Sequence, residues 1–233
     1  RPRLPTRYGR AMAELAHVMR TTFACRSFTD ENLPDDELAA ILEVARFAPS
    51  GGNRQGWHVI VLRDQPTKKQ VVEFSIPAIE LYVAQRSAGE NPWNTIDPSS
   101  VDPTTVDVPP AAIAWYRDLA DAPVLLLVAV DLKVVASADS KLDRIGVISG
   151  ASIYPFAHNI LLAANDRGWG GALTTFVGAA EPQIQHLLGM PSHIAVAAMI
   201  PLGRPQKALT KLTRKPVDAF THVGRWDGPP LGS

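Results

Sequence analysis

Residues 123–131 read PVLLLVAVD. Seven apolar side chains, Val124 through Val130, stand between a proline and an aspartate. A run this short and this rich in Val and Leu reads as a buried strand. WHVIVLRD at 57–64 reads as a second buried strand and HIAVAAMIPLG at 193–203 as a third. Helical patterns lie between them. Strands that alternate with helices imply a layered fold, either α/β or α+β. The 233 residues suit one domain, or one domain with an insertion, and 46% hydrophobic content allows a sizeable core.

The helical patterns differ in sharpness. The spacing of Met12, Leu15, Ala16 and Met19 predicts a helix over 8–20. PDDELAAILEVARFA at 34–48 is sharper. Pro34 suits a first turn, and Asp35, Asp36 and Glu37 oppose the positive end of the helix dipole. Leu38, Ile41, Leu42 and Ala45 then make one apolar stripe, and Pro49 stops the run. Residues 147–167 predict a long apolar helix ended by Gly168. Residues 181–188 predict a short one, with Pro182 near its start and Gly189 after it. Two regions lack any period. Residues 88–110 hold five prolines, and an irregular stretch that long is usually functional or mobile. Residues 204–230 are too polar to pack alone and call for a partner surface or a bound ligand.

Several function classes drop out. The 23 basic and 23 acidic residues give no bulk charge for nucleic acid or an acidic membrane. The longest apolar runs fall far below the roughly 18 residues that span a bilayer. Arg1, Arg3, Arg7 and Arg10 among prolines do not read as a secretory leader. The single cysteine, Cys25, cannot form an intrachain disulfide, so a reducing, cytoplasmic home is expected. It reads as a small packed thiol rather than a nucleophile. The six histidines show no metal-ligand spacing, so no metal is expected. GWGGAL at 168–173 lacks the spacing of a dinucleotide loop.

FAPSGGNRQGW at 47–57 is the most unusual stretch. Its small residues leave backbone N–H and C=O groups accessible. Ser50, Asn53 and Gln55 add groups that both donate and accept hydrogen bonds. That inventory suits a flat polar heterocycle or a sugar-alcohol chain. It suits proton-transfer catalysis poorly, because nothing in it titrates near neutral pH. A tight helix-to-strand connection would use the same residues to satisfy turn backbone. Both readings stand on composition alone.

Three blocks together resemble the FMN-dependent nitroreductase family. The first is CRSFTDENLPDDELAAILEVARFAPSGGNRQGWHVIVLRD at 25–64. The second is GWGGALTTFVGAAEPQIQHLLGMPSHIAVAAMIPLGRP at 168–205, and the third is RKPVDAFTH at 214–222. They occur in the family's order and cover about half the chain. The resemblance implies an α+β fold: a mixed, mainly antiparallel sheet surrounded by helices, in one domain over 1–233. It implies FMN as cofactor, NADH or NADPH as co-substrate, and a homodimer with FMN at the interface. Arg26 would hold the ribityl-phosphate or pyrimidine side. Pro49, Ser50, Asn53 and Gln55 lie in the loop that would reach FMN across the interface. Leu173, Thr174 and Thr175 would lie near flavin N5 and O4, and Arg214 would pair with the phosphate. No catalytic acid is implied.

The implied reaction moves electrons from NAD(P)H to a small aromatic acceptor, nitroaromatic or quinone-like, by ping-pong. Reductive dehalogenation, flavin cleavage and flavin storage remain alternatives. The chain departs from the family pattern at Thr22, Phe23 and Ala24, which stand in place of Arg, Arg and Ser, with Arg20 or Lys215 as candidate replacements. It departs again at Gly56, which stands in place of Pro. Residues 88–120 are expected to form a lid that shapes the acceptor and nicotinamide pocket, with Trp93, Trp115 and Tyr116 as aromatic faces, although Trp115 and Tyr116 equally suit a helix packed into the core.

Overall fold

The computed structural model describes residues 14–209 and 211–232. Seven helices surround a four-stranded sheet among these residues. The helices are α1 (Leu15–Thr21), α2 (Asp35–Ala45), α3 (Gln65–Phe74), α4 (Ile76–Ser87), α5 (Pro110–Arg117), α6 (Tyr154–Asp166) and α7 (Glu181–Leu188). The strands are β1 (Trp57–Leu62), β2 (Val124–Asp131), β3 (Gly170–Gly171) and β4 (Ile194–Gly203), in the order β1-β2-β4-β3. Every ladder is antiparallel. The one parallel element is an isolated bridge from Ala24 to Gly171. The fold is α+β, as the resemblance implies.

The unbroken apolar run of β2 now has a cause. Val124, Leu126, Val128 and Val130 face a core built with α2 and α6. Leu125 and Leu127 face a second core built with α3, α4, α5 and α7. A strand covered on both faces has no reason to alternate. A bulge in β4 reverses its facing: Val128 pairs with Ala198 but Ala129 pairs with Val196, so Ala197 is the extra residue. Glu181, at the start of α7, accepts from the Val196 N–H at 2.6 Å and so ties that helix to the bulge.

Helix α2 buries Leu38, Ile41 and Ala45, with Leu42 packed at the margin. Full burial of one such Leu or Ile is worth about 1.5–3 kcal/mol. Helix α7 has its predicted bounds. Other expectations change. Only 14–20 of the predicted 8–20 helix can be compared, because 8–13, with Met12, lie outside the described residues. WHVIVL is an edge strand rather than a fully buried one, with His58 and Val61 exposed. The single helix expected over 147–167 is a 3-10 turn, Ile148–Ser152, followed by α6. Pro155 causes the break: it lacks an N–H, disfavours helical geometry before it, and fits only a first turn. Gly168, with φ +79°, ends α6 as expected.

The stretch 65–87 forms two helices that hydrophobic patterning did not mark. Asp64 caps α3 by accepting from the Thr67 N–H at 2.9 Å, and Pro66 occupies the first turn. Within 88–120, residues 110–117 are helical and Tyr116 is fully buried. The irregular part is therefore 88–109. Glu90 organises it by accepting from Ser99 Oγ, Ser100 N and Ser100 Oγ at 2.6–2.7 Å. No helix among the described residues is long and apolar enough to cross a membrane.

Candidate functional site

The sequence-derived site residues fall into three places. The first follows β3. A Cβ on Gly171 would meet Leu202 Cδ2 at 2.6 Å and the Pro201 carbonyl at 2.8 Å, so only glycine lets this edge approach β4. Beyond it Leu173 is half-buried against the α2–α6 core, and Thr175 is exposed. Thr174 and Met199 exchange two backbone hydrogen bonds, at 3.0 and 2.8 Å, which fix the segment to β4. The Thr174 Oγ1 is buried without a hydrogen-bond partner, and so is the Tyr116 hydroxyl. Burial pushes the Tyr116 phenol up. The Ser75 and Thr174 hydroxyls lie near enough to oppose part of that shift, but neither meets hydrogen-bond geometry with it.

Arg26 belongs to the same end of the sheet. The Cys25 N–H donates to the Gly171 carbonyl at 2.9 Å, which places the neighbouring Arg26 in solvent. Cys25 is buried, its Sγ donates to the Ser27 carbonyl at 3.4 Å, and burial raises its pKa, all features of a packed, unreactive thiol. The Arg26 guanidinium lies 5.3 Å from the centre of the Trp115 ring. Both line a cavity of about 830 Å³ together with Tyr82, Val83, Arg86, Ser87, Ala112 and Phe176.

The second place is the loop 49–55. Pro49, Asn53 and Gln55 are exposed and Ser50 is half-buried. Ser50 Oγ accepts from the Gln55 N–H at 3.0 Å, and the Gly51 N–H donates to Ser152 Oγ at 3.0 Å. Gly52, Asn53 and Gln55 have φ of +62°, +52° and +51°. Positive φ is uncommon for side-chain-bearing residues and costs of order 1–3 kcal/mol. The Gln55 amide donates to Asn53 Oδ1 at 3.1 Å and holds the pair in place. Trp57 then stacks on Phe156, centroids 4.8 Å apart and planes 5° from parallel. The polar residues of FAPSGGNRQGW thus satisfy their own turn, as a tight connection would. They also hold strained backbone at an exposed position.

These two places adjoin opposite ends of β2. The Asp131 N–H donates to the Gly56 carbonyl at 2.8 Å, beside the loop. At the other end Val124 pairs with Leu202, which pairs with Gly171. Eight residues at about 3.3 Å each separate the ends by roughly 20 Å or more. A single chain does not bring loop 49–55 to Arg26. The third place is Arg214, exposed on the extended tail, where its Nη1 donates to the Thr213 carbonyl at 2.8 Å. It does not line the cavity. Among the described residues no group of three or more His, Cys, Asp or Glu is placed to hold a metal ion.

The nitroreductase family model matches residues 19–204. The chain belongs to the nitroreductase family. Human iodotyrosine deiodinase 1 is 24% identical over 208 residues, which are 88% of this chain and 66% of that protein. The chain thus spans slightly under two thirds of that relative's length. A crystal structure of oxidized iodotyrosine deiodinase bound to FMN and 3-iodo-L-tyrosine superposes with a TM-score of 0.62 at 21% identity, covering 88% of this chain and 96% of that one. A nitroreductase with bound FMN from Desulfitobacterium hafniense DCB-2 superposes equally well, TM-score 0.62 at 22% identity, covering 91% and 99%.

The departures from the family pattern now have physical readings. Thr22 Oγ1 donates to the Val18 carbonyl at 2.8 Å and closes α1, so this position is used for a helix end. Gly56 is buried, and a Cβ there would meet Val134 Cγ2 at 2.6 Å, so any larger residue requires Val134 to shift. Motif reasoning missed six cavity residues, among them Tyr82, Arg86 and Phe176. A helix assigned over 76–87 would have shown Tyr82 and Arg86 one turn apart on a single face. Nothing local marked Phe176.

Proposed function

We propose that this nitroreductase-family chain is an FMN-dependent oxidoreductase that takes electrons from NADH or NADPH and passes them to a nitroaromatic or quinone-like acceptor. One observation carries the reading: the cavity joins guanidinium groups to exposed aromatic faces beside the 173–176 edge. The donor set fits the cofactor. Arg26 offers a fixed cation, the Thr174 hydroxyl lacks a partner, and the loop 49–55 offers amides on a strained, exposed backbone. When bound, FMN supplies a two-electron carrier that accepts hydride from nicotinamide and returns electrons to an acceptor.

The chain's own residues bind and position. Arg26 would favour negative charge on the flavin ring or its chain, because a guanidinium fork pairs with anionic oxygens. The 173–175 edge would set the ring's depth, since its backbone is tied to β4. Trp115 and Phe176 would exclude water from one face. Loop 49–55 cannot reach Arg26 within one chain, so the reading includes a homodimer in which each loop completes the partner's site. The exposed tail bearing Arg214 would lie on that partner.

The absorbance spectrum of the purified protein, with identification of the released cofactor, tests FMN. Steady-state NADH and NADPH oxidation with a nitroaromatic acceptor tests the reaction. A colourless protein that takes up no FMN sinks the proposal. The similarity to iodotyrosine deiodinase 1 favours a second reading, reductive dehalogenation. Iodide release from 3-iodo-L-tyrosine by the reduced protein, without nitroaromatic turnover, would select it.

A further inference from the structure

The cavity has a more specific chemistry than a flavin fold requires. Three aromatic side chains line it, Tyr82, Phe176 and Trp115, and the fully buried Tyr116 ties them together edge to face from behind. Tyr82 and Phe176 are 5.3 Å apart at 74°, Phe176 and Tyr116 are 5.8 Å apart at 88°, and Tyr116 and Trp115 are 5.6 Å apart at 81°. A guanidinium stands over each terminal ring: Arg86 lies 6.0 Å from the Tyr82 centroid, and Arg26 lies 5.3 Å from that of Trp115. Among the described residues no carboxylate lines the cavity, and neither arginine has a carboxylate within 4.0 Å. Glu73 pairs with Arg117, and Glu90 is held by Ser99 and Ser100.

Two uncompensated cations beside one apolar surface form a site for a flat molecule that carries negative charge. The volume, about 830 Å³, falls within the range for small-molecule sites. One cation, Arg26, is accounted for by the flavin reading. Arg86 is not. It sits in the last turn of α4, immediately before the irregular stretch 88–109. Resting on the flavin reading, we propose that Arg86 makes this an acceptor site for aromatic carboxylates, with the acceptor ring against Tyr82 and Phe176 and its carboxylate on the Arg86 guanidinium. Arginine binds a carboxylate bidentately, so Arg86 fixes orientation as well as charge.

The test uses the FMN-loaded protein, its Arg86→Gln and Arg86→Lys variants, and two acceptors of near-equal shape, 4-nitrobenzoate and 4-nitrobenzyl alcohol. Binding of 4-hydroxybenzoate, which is not reduced, is measured in parallel by calorimetry. Loss of a charged hydrogen bond corresponds to about a 10- to 100-fold weakening. Arg86→Gln should therefore raise KM for 4-nitrobenzoate by at least about tenfold, leave kcat nearly unchanged, and leave both constants for the neutral acceptor within about twofold. Arg86→Lys should fall between. Binding of 4-hydroxybenzoate should weaken in step. Equal losses for both acceptors would overturn the inference, and so would loss of FMN in Arg86→Gln, which would put Arg86 on the cofactor. If wild type turns over neither nitro compound yet binds 4-hydroxybenzoate through Arg86, the flavin-reductase reading fails while the carboxylate site stands. Absence of 4-hydroxybenzoate binding removes the site even where turnover is normal.

Discussion

Arg26 and Trp115 are 89 positions apart in sequence, and the guanidinium of one stands 5.3 Å from the ring centre of the other. Arg26 comes from the motif before α2, and Trp115 comes from α5, in the segment with no family signature. The contact therefore joins a segment that carries a recognisable motif to one that carries none, both within the stretch the family model matches. Cation–π contacts at exposed sites are worth only about 0.5–1 kcal/mol. The pair matters for the shape and charge of the cavity more than for folding.

A first prediction separates Trp115 from its neighbour. Trp115→Leu should cost no more than about 1–2.5 kcal/mol, because the exposed cation–π contact with Arg26 and the edge-to-face contact with Tyr116 are lost, while raising KM for aromatic acceptors. Tyr116→Phe should behave in the opposite way. It removes a buried hydroxyl without a partner, and such a group costs about 1–3 kcal/mol. The variant should melt a few degrees higher by differential scanning calorimetry, with kinetics unchanged. A lower melting temperature would mean that the hydroxyl is satisfied in solution.

A second prediction concerns Arg214. Among the described residues its guanidinium bonds only to the carbonyl of the preceding residue, so Arg214→Ala should leave thermal stability of the apoprotein unchanged. Its FMN affinity should fall strongly if Arg214 pairs with the phosphate. Dialysis followed by flavin absorbance measures both states. Undiminished FMN retention would remove Arg214 from the site.

Legibility in the sequence followed the physics of each element. Leu38, Ile41 and Ala45 could be read because one helix face buries in one core. Val124–Val130 could be read because burial on both faces leaves no polar residue in the strand. The 147–167 stretch misled because apolar content does not show where a helix starts, and Pro155 does. Helices α3 and α4 were passed over because their start signals, Asp64 with Pro66 and then Pro77, are local and short. The site was half legible. Arg26, Thr174 and the 49–55 loop carry motifs. Tyr82 and Arg86 share one face of α4, and Phe176 meets them only through packing of the turn it begins, Phe176–Ala180, against that helix, which no spacing records.

A third prediction tests why Gly56 departs from the family. Gly56→Ala forces a Cβ to within 2.6 Å of Val134 Cγ2. Overpacking of this kind costs about 1–3 kcal/mol. Val134→Ala in the same chain should recover most of that loss, as a double-mutant cycle in urea would show. Additive losses would mean that Val134 is not the obstacle.

A fourth prediction treats 88–109 as a lid. Deleting 90–107 removes Trp93 and the segment that Glu90 organises, and none of the flavin-motif residues. FMN content should stay near wild type while acceptor preference and nicotinamide KM change. Identical kinetic constants with two nitroaromatics and both nicotinamides would refute the lid. Loss of FMN would instead make the segment structural.

The last prediction links acid sensitivity to loop 49–55. Asp139 is buried behind that loop and accepts from Val147 N and Arg144 Nη1 at 2.8 and 2.7 Å, and from Ile148 N at 3.4 Å. The Val147 N–H foremost, then Arg144, holds its carboxyl below the usual range. These bonds fix the start of the 3-10 turn that carries Ser152, and Ser152 Oγ accepts from Gly51 N in the loop. A depressed carboxyl pKa adds stability that is complete above the unfolded-state value, near 3.9, and is lost as pH falls through the folded-state value. Asp139→Asn should therefore be less stable than wild type at pH 7, and the gap should close as pH drops below about 4. Loop 49–55 should loosen with it, so amide exchange at Gly51 should accelerate in the variant at neutral pH, with little change in α2. Urea titrations from pH 7 to pH 3 read the gap, and hydrogen exchange reads the loop. A stability difference that stays constant across that range would show that Asp139 contributes through packing rather than through its charge.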